Sequence, residues 1–149
     1  MSGEASLEIV RLGAADYPRI MLLWEAAGLH IKPAGRDAQD AFAQQMALGV
    51  QQAIGAQAPN GTLVGVTLTT HDTRKGWINR LAVHPDYQRQ GVGRRLIRAA
   101  EDQLKAQGIT VIAALIEPDN VASLTLFVSA GYLEWPGMHY VSKRQSPDA

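Results

Sequence analysis

Leu81-Ala82-Val83-His84-Pro85-Asp86-Tyr87-Gln88-Arg89-Gln90-Gly91-Val92-Gly93-Arg94 leaves an apolar run, passes through a turn and opens a helix that also carries Arg95 and Arg98. Strand, loop, glycines and helix follow in the order an anion site requires. The first N–H groups of a helix lack intrahelical partners, and the macrodipole places partial positive charge there, so a phosphate can accept those bonds directly. Glycines at 91 and 93 let phosphate oxygens approach the backbone with no Cβ in the way, and Arg89 and Arg94 add charge. A lone Gly-x-Gly also fits a plain helix start with solvated arginines. The three glycines of a dinucleotide-binding turn and the Gly-Lys-Ser/Thr of a P-loop are both missing.

Outward from that turn the period of the sequence changes twice. Toward the N-terminus, residues 50–58, 62–70 and 77–83 read as strands separated by Pro59-Asn60-Gly61 and by a turn over 72–76, which predicts an antiparallel meander. Before them, Leu7, Ile9 and Leu12 suggest a strand. A helix over 14–27 follows, with Ile20, Leu23, Trp24 and Ala27 at helical spacing, Pro18 in its first turn and Gly28 closing it. A second helix is expected over 37–48, with Ala41, Met46 and Leu48 among its apolar residues. After the glycines come a helix over 91–107, a buried strand over 110–116, a helix over 120–130 and terminal strand material over 132–143. The order predicts one domain over residues 1–149, a mixed sheet with helices packed on it, and a frayed end only at 145–149.

The 149 residues are enough to bury about two-thirds of the unfolded surface around one core. Fourteen basic residues balance fourteen acidic ones, so no global field favours nucleic acid or an anionic membrane, and any anion must be held locally. Zero cysteines exclude disulfides, thiolate metal sites and covalent cysteine catalysis, and suit a reducing cytoplasm. The longest apolar runs fall far below the roughly 20 residues that span a bilayer. His30, His71, His84 and His139 show no metal-ligand spacing, so no metal is assigned, and His84 before Pro85 reads as a turn residue.

The quoted stretch strongly resembles the coenzyme A signature of the GNAT superfamily of N-acyltransferases. Further along, Asn120-x-x-Ser123-x-x-Leu126-Phe127-x-x-x-Gly131-Tyr132 is similar to that superfamily's other recurrent segment. The resemblance covers roughly residues 7–143. It implies an α/β fold: a mixed, mostly antiparallel sheet with a splayed strand pair and about four helices packed on it. It also implies acetyl-coenzyme A as cosubstrate and direct transfer of its acetyl group to a primary amine of a small molecule or peptide. The implied coenzyme-binding set is Leu81, Ala82, Val83, Gln88, Arg89, Gln90, Gly91, Val92, Gly93, Arg94, Asn120 and Phe127. Main-chain groups of Leu81 and Val83 face the pantetheine arm, the N–H groups from 89 to 94 face the pyrophosphate, and the Val83 N–H polarises the thioester carbonyl. Asn120 serves equally well as a helix N-cap. A homodimer is left open.

Two positions depart from the family pattern. Phe127 stands where many members place a tyrosine that protonates the leaving thiolate, and Trp77 stands where some place a glutamate base. Ordered water is one substitute. Asn79, Ser123, Tyr132 or Tyr140 is another, Asn79 because it shares strand parity with Leu81 and Val83 and so faces the same cleft. A non-catalytic, coenzyme A-binding regulatory module is the alternative. The resemblance puts the acceptor side of the cleft at the loop over residues 28–37, where Lys32 and Arg36 either bind an acidic group or are simply solvated.

Overall fold

The structure is a computed structural model that describes residues 6–149. Five strands, β1 (Glu8–Leu12), β2 (Gln51–Gln57), β3 (Leu63–His71), β4 (Gly76–Val83) and β5 (Ile112–Ala113), form one sheet in the order β1-β2-β3-β4-β5. Every neighbouring pair is antiparallel except β4 and β5, which run parallel. The expected meander is β2-β3-β4. Its first turn is tied by the Asn60 side chain, which accepts from the Thr62 N–H at 3.0 Å. In the second, the Asp72 carboxylate accepts from the N–H groups of Arg74 and Lys75 at 2.9 and 2.8 Å. These are the local bonds that favour Asn and Asp in turns.

Helices α1 (Tyr17–Ala26) and α2 (Gln39–Ala47) cover one face of the sheet, and α3 (Val92–Ala106) and α4 (Val121–Ser129) cover the other. The helix expected over 14–27 starts instead as a short 3-10 turn at Ala14–Asp16, where the Asp16 carboxylate takes the Gly13 N–H at 2.8 Å. On α3, Val92, Leu96, Ile97, Ala100 and Leu104 are buried at helical spacing while Arg94 and Arg98 stay exposed. Those buried residues pack on Ile54, Ala56, Val64 and Ile78 of the sheet. Across the sheet, Ile20, Leu23, Trp24 and Phe42 pack on Ala53, Val66, Leu68 and Ala82.

β4 is not a regular strand. Val66 pairs with Ala82 and Leu68 pairs with Asn79, so Arg80 and Leu81 together oppose the single residue Thr67. This is a β-bulge, with Arg80 in the left-handed region at φ 54°. The bulge reverses the alternation of faces. Ile78 lies in the α3-side core and Ala82, four residues on, in the α1-side core. Asn79 therefore does not share a face with Leu81 and Val83, which corrects the parity expected for it; an extra residue in a strand exchanges the faces of everything beyond it.

The expected strand over 110–116 pairs only at Ile112 and Ala113, opposite Gly76 and Trp77. Beyond those two pairs β4 and the 114–116 segment separate. No strand forms over 132–143, contrary to the expectation. Pro136 has no N–H for a ladder and Gly137 follows it, so the alternation of Leu133 and Trp135 is broken before Met138 and Tyr140 resume it. All four side chains are exposed. Residues 145–149 form neither helix nor strand, and the Lys32 ammonium donates to the carbonyl oxygens of Pro147 and Ala149.

Candidate functional site

Where β4 and β5 part, a cleft of about 760 Å³ opens between β4 and the segment that follows β5. One wall is β4 from Ile78 to Leu81, the opposite wall is the segment from Ala114 to Glu117, and its floor includes Asn120, Ser123 and Phe127. The 28–37 loop closes the remaining side with Gly28, Leu29, His30, Arg36 and Asp37. The splayed pair and the loop thus bound one cavity, and Asn79, Ser123 and Phe127 from the sequence reading all line it. Trp77 sits in the paired part of the fork, with the Lys75 ammonium 5.5 Å from its ring centroid.

The ladder between β3 and β4 decides which backbone groups face the gap. His84 N–H donates to the Val64 carbonyl at 2.8 Å. Hydrogen-bonded and non-hydrogen-bonded residues alternate in an antiparallel pair, so the N–H and C=O of Val83 point away from β3, to the edge that β5 has left. The Val83 carbonyl is taken by the Gln88 side-chain amide, which donates to it at 3.2 Å. Its N–H is the group directed into the fork. A backbone donor held by a rigid sheet is the kind of group that steadies a developing oxyanion.

The turn after β4 is shaped residue by residue. His84 Nδ1 accepts from the Asp86 N–H at 3.1 Å and caps the 3-10 turn Pro85–Tyr87, so it is the turn residue expected of it. Arg89 at φ 63° and Gly91 at φ 82° are both left-handed, and α3 starts immediately after Gly91. Left-handed residues next to helical ones turn successive N–H groups toward one concave face, a geometry that holds anions, and α3 adds the positive end of its dipole.

The two glycines differ in purpose. Gly91 supplies the left-handed conformation. Gly93 is buried, and a Cβ there would lie 2.7 Å from Leu126 Cδ2, so its missing side chain lets α3 approach α4 closely. Of the two arginines expected to add charge, Arg94 is tied to α4, donating to Ser129 Oγ at 2.7 Å, and Arg89 stays exposed in the turn.

Asn120 is an N-cap: its side-chain oxygen accepts from the Ser123 N–H at 3.1 Å. Phe127 is buried and meets Tyr132 edge to face, with ring centroids 5.1 Å apart. The Tyr132 hydroxyl donates to Glu101 at 2.7 Å, and burial together with that carboxylate pushes its acidity well below that of an ordinary phenol. Tyr140 is exposed and lies outside the cleft. Asn79 donates its amide to Thr70 Oγ1 at 3.0 Å.

The feature that local reading missed is a charged pair between the 28–37 loop and β4. Arg80 Nη2 lies 2.9 Å from Asp37 Oδ2, with both side chains largely buried. Arg36, one of the two cations singled out in the loop, lines the cleft with its Nε 3.7 Å from the same carboxylate, whereas Lys32 is turned to the chain end. Forty-three residues separate Asp37 from Arg80. No local pattern reports a contact at that distance; two opposite charges flanking predicted elements were the only available signal. Among the described residues, no group of three His, Cys, Asp or Glu side chains is arranged to hold a metal.

Comparison with known proteins extends this geometry. Residues 22–132 match the family model described as the acetyltransferase (GNAT) family. An acetyltransferase of Yersinia pestis (strain Pestoides F) is 28% identical over 117 residues, 78% of this chain and 81% of that protein. The ribosomal protein bS18-alanine N-acetyltransferase of Escherichia coli (strain K12) is 32% identical over 75 residues, half of each chain. Among solved structures, AAC(6')-Iy bound to a bisubstrate analogue superposes with a TM-score of 0.76 at 17% identity, covering 93% of this chain and 98% of that one. The PaiA N-acetyltransferase of Thermoplasma acidophilum, in complex with coenzyme A, gives 0.74 at 18% identity over 85% and 89%. At such identities the two structures establish a shared fold.

Proposed function

This chain belongs to the acetyltransferase (GNAT) family, and from that premise we propose that it moves the acetyl group of acetyl-coenzyme A directly to a primary amine of a small molecule or peptide. The observation that carries the proposal is the fork between β4 and β5: it opens beside a turn of left-handed residues at a helix start and has the Val83 N–H directed into it. An extended arm ending in phosphates fits such a fork. Its thioester supplies the activated acetyl group.

In this reading the N–H groups from Arg89 to Arg94 hold the pyrophosphate, and the backbone of Leu81 and Val83, turned away from β3, aligns the pantetheine. Gln88 gives up the Val83 carbonyl when that arm binds. A neutral amine held by the 28–37 loop reaches the thioester carbonyl, and the Val83 N–H stabilises the oxygen as charge develops on it. Alignment of both reactants supplies much of the acceleration. Proton movement falls to ordered water held near Asn79 and Ser123, because Phe127 has no proton to give and Tyr132 is committed to Glu101. One domain in the cytoplasm suffices for this chemistry. Among the described residues no helix is long and apolar enough to cross a membrane.

A second reading, a module that binds coenzyme A without turnover, is favoured by that same missing acid. Release of free thiol from acetyl-coenzyme A, followed over a panel of amines, separates the two. Acceptor-dependent thiol release supports transfer. Tight coenzyme A binding with no release on any amine supports the module, and no binding at all overturns both.

A further inference from the structure

Arg80 occupies an unusual position. It is a non-glycine residue in the left-handed region, at a bulge, with its long side chain largely buried. Its guanidinium makes three contacts with the acceptor side of the molecule. Nη2 meets Asp37 Oδ2 at 2.9 Å, Nη1 donates to the His30 carbonyl at 3.0 Å, and the guanidinium carbon stands 5.0 Å from the ring centroid of Trp24. Asp37 is anchored in turn. Its carboxylate accepts from the Lys32 N–H at 2.7 Å, and its carbonyl accepts from the Tyr17 hydroxyl. Thus one side chain, rooted in the bulge of β4, fixes both ends of the 28–37 loop and the helix beneath it.

We propose that Arg80 is a positioning residue for acetyl transfer: locked to Asp37, it ties the acceptor-side loop to the bulge of β4, so that the amine and the backbone that receives the thioester are held in one frame. The proposal rests on the acetyl-transfer reading. Its physical basis is that a left-handed, non-glycine residue persists only where its surroundings over-determine it, and here the surroundings are the loop itself. Loss of Asp37 frees the bulge as well as the loop; loss of Arg80 frees the loop as well as the bulge.

The test uses the full chain with acetyl-coenzyme A and the best amine of the panel, comparing Asp37→Asn, Arg80→Met, the double variant and Arg80→Lys. Expected are kcat losses of about tenfold or more in each single variant, with KM for acetyl-coenzyme A within about twofold, because the phosphate turn is built separately. The double variant falls no further than the worse single, and Arg80→Lys recovers part of the rate. Losses under about twofold, or losses that multiply in the double variant, overturn the proposal. Hydrogen exchange followed by mass spectrometry gives an arm independent of turnover. Asp37→Asn should speed exchange in peptides covering 28–37 and 79–83 together while 88–93 is unchanged. Faster exchange in the loop alone overturns the proposal. If the wild-type chain binds coenzyme A but acetylates nothing, the transfer reading fails, and the exchange arm still decides whether the clamp exists.

Discussion

Alanine in place of Gly91 puts a Cβ on a residue held at φ 82°, where an L side chain collides with its own following carbonyl at a cost of about 1–2 kcal/mol. That cost has two places to appear. If the turn keeps its shape, the folded state carries the strain. Unfolding temperature then falls by about 2–8 °C, at roughly 2–4 °C per kcal/mol for a domain of this size, and coenzyme A affinity is unchanged. If the turn relaxes, stability is kept, the N–H groups must be brought back on binding, and Kd rises by about 5–30-fold. The two losses therefore add to a fixed total of about 1–2 kcal/mol however they divide. Calorimetric titration with coenzyme A and thermal unfolding of the same preparation read both. A summed loss below about 0.5 kcal/mol, the ordinary scatter of surface substitutions, would refute the assignment of Gly91 as a conformational requirement. Valine should raise the total, because branching at Cβ worsens the same collision. Gly93→Ala is the contrasting case: its backbone is not left-handed, and the new methyl presses on the flexible end of Leu126, so its effect should vanish when Leu126 is shortened to alanine.

Four further outcomes follow from the geometry. Tyr132→Phe should leave kcat within about twofold while costing about 1 kcal/mol of stability for the lost bond to Glu101; a large fall in kcat would return Tyr132 to the chemistry. Because burial raises the Tyr132 phenol above its ordinary value, the native state keeps a proton that the unfolded chain releases, so stability is full below about pH 10 and declines above it. Alkaline unfolding curves should show that decline in the wild type and less of it in Tyr132→Phe, and identical slopes would contradict it. Asn120→Ala should cost about 0.5–2 kcal/mol through the lost cap, and Asn120→Ser should restore stability; if serine also restores coenzyme A affinity, the amide makes no separate ligand contact. Leu96→Ala, at a fully buried site, should cost about 2–5 kcal/mol in denaturant unfolding, and a loss under about 1 kcal/mol would mean that α3 repacks.

The parts of the molecule legible in the sequence are those governed by neighbours in the chain. The Gln88 to Gly93 turn, the meander and the amphipathic face of α3 depend on local spacing, and they appear where local spacing puts them. The bulge at Arg80 and Leu81 escaped because nothing between Trp77 and Val83 departs from a plausible strand; an inserted residue is visible only against its partner strand. The Arg80–Asp37 pair escaped for the same reason at longer range. Asp37 looked like the ordinary polar start of a helix. The strand expected over 132–143 failed in the opposite direction, since apolar alternation was present but Pro136 and Gly137 denied it a continuous ladder. At Gly93 the close approach of Leu126 was not legible, because that residue belongs to another helix.

The fork between β4 and β5 is closed at one end by two residue pairs, and its closed end has its own constraint. A Cβ on Gly76 would lie 2.9 Å from Leu104 and 3.1 Å from Ile109, so α3 and the segment leading into β5 close over the vertex at a residue without a side chain. The vertex is thus buried under α3, apart from the walls of the cleft at Ile78 to Leu81 and Ala114 to Glu117. A substitution in the walls alters the lining of the cleft, whereas a side chain added at the vertex presses first on α3, away from that lining.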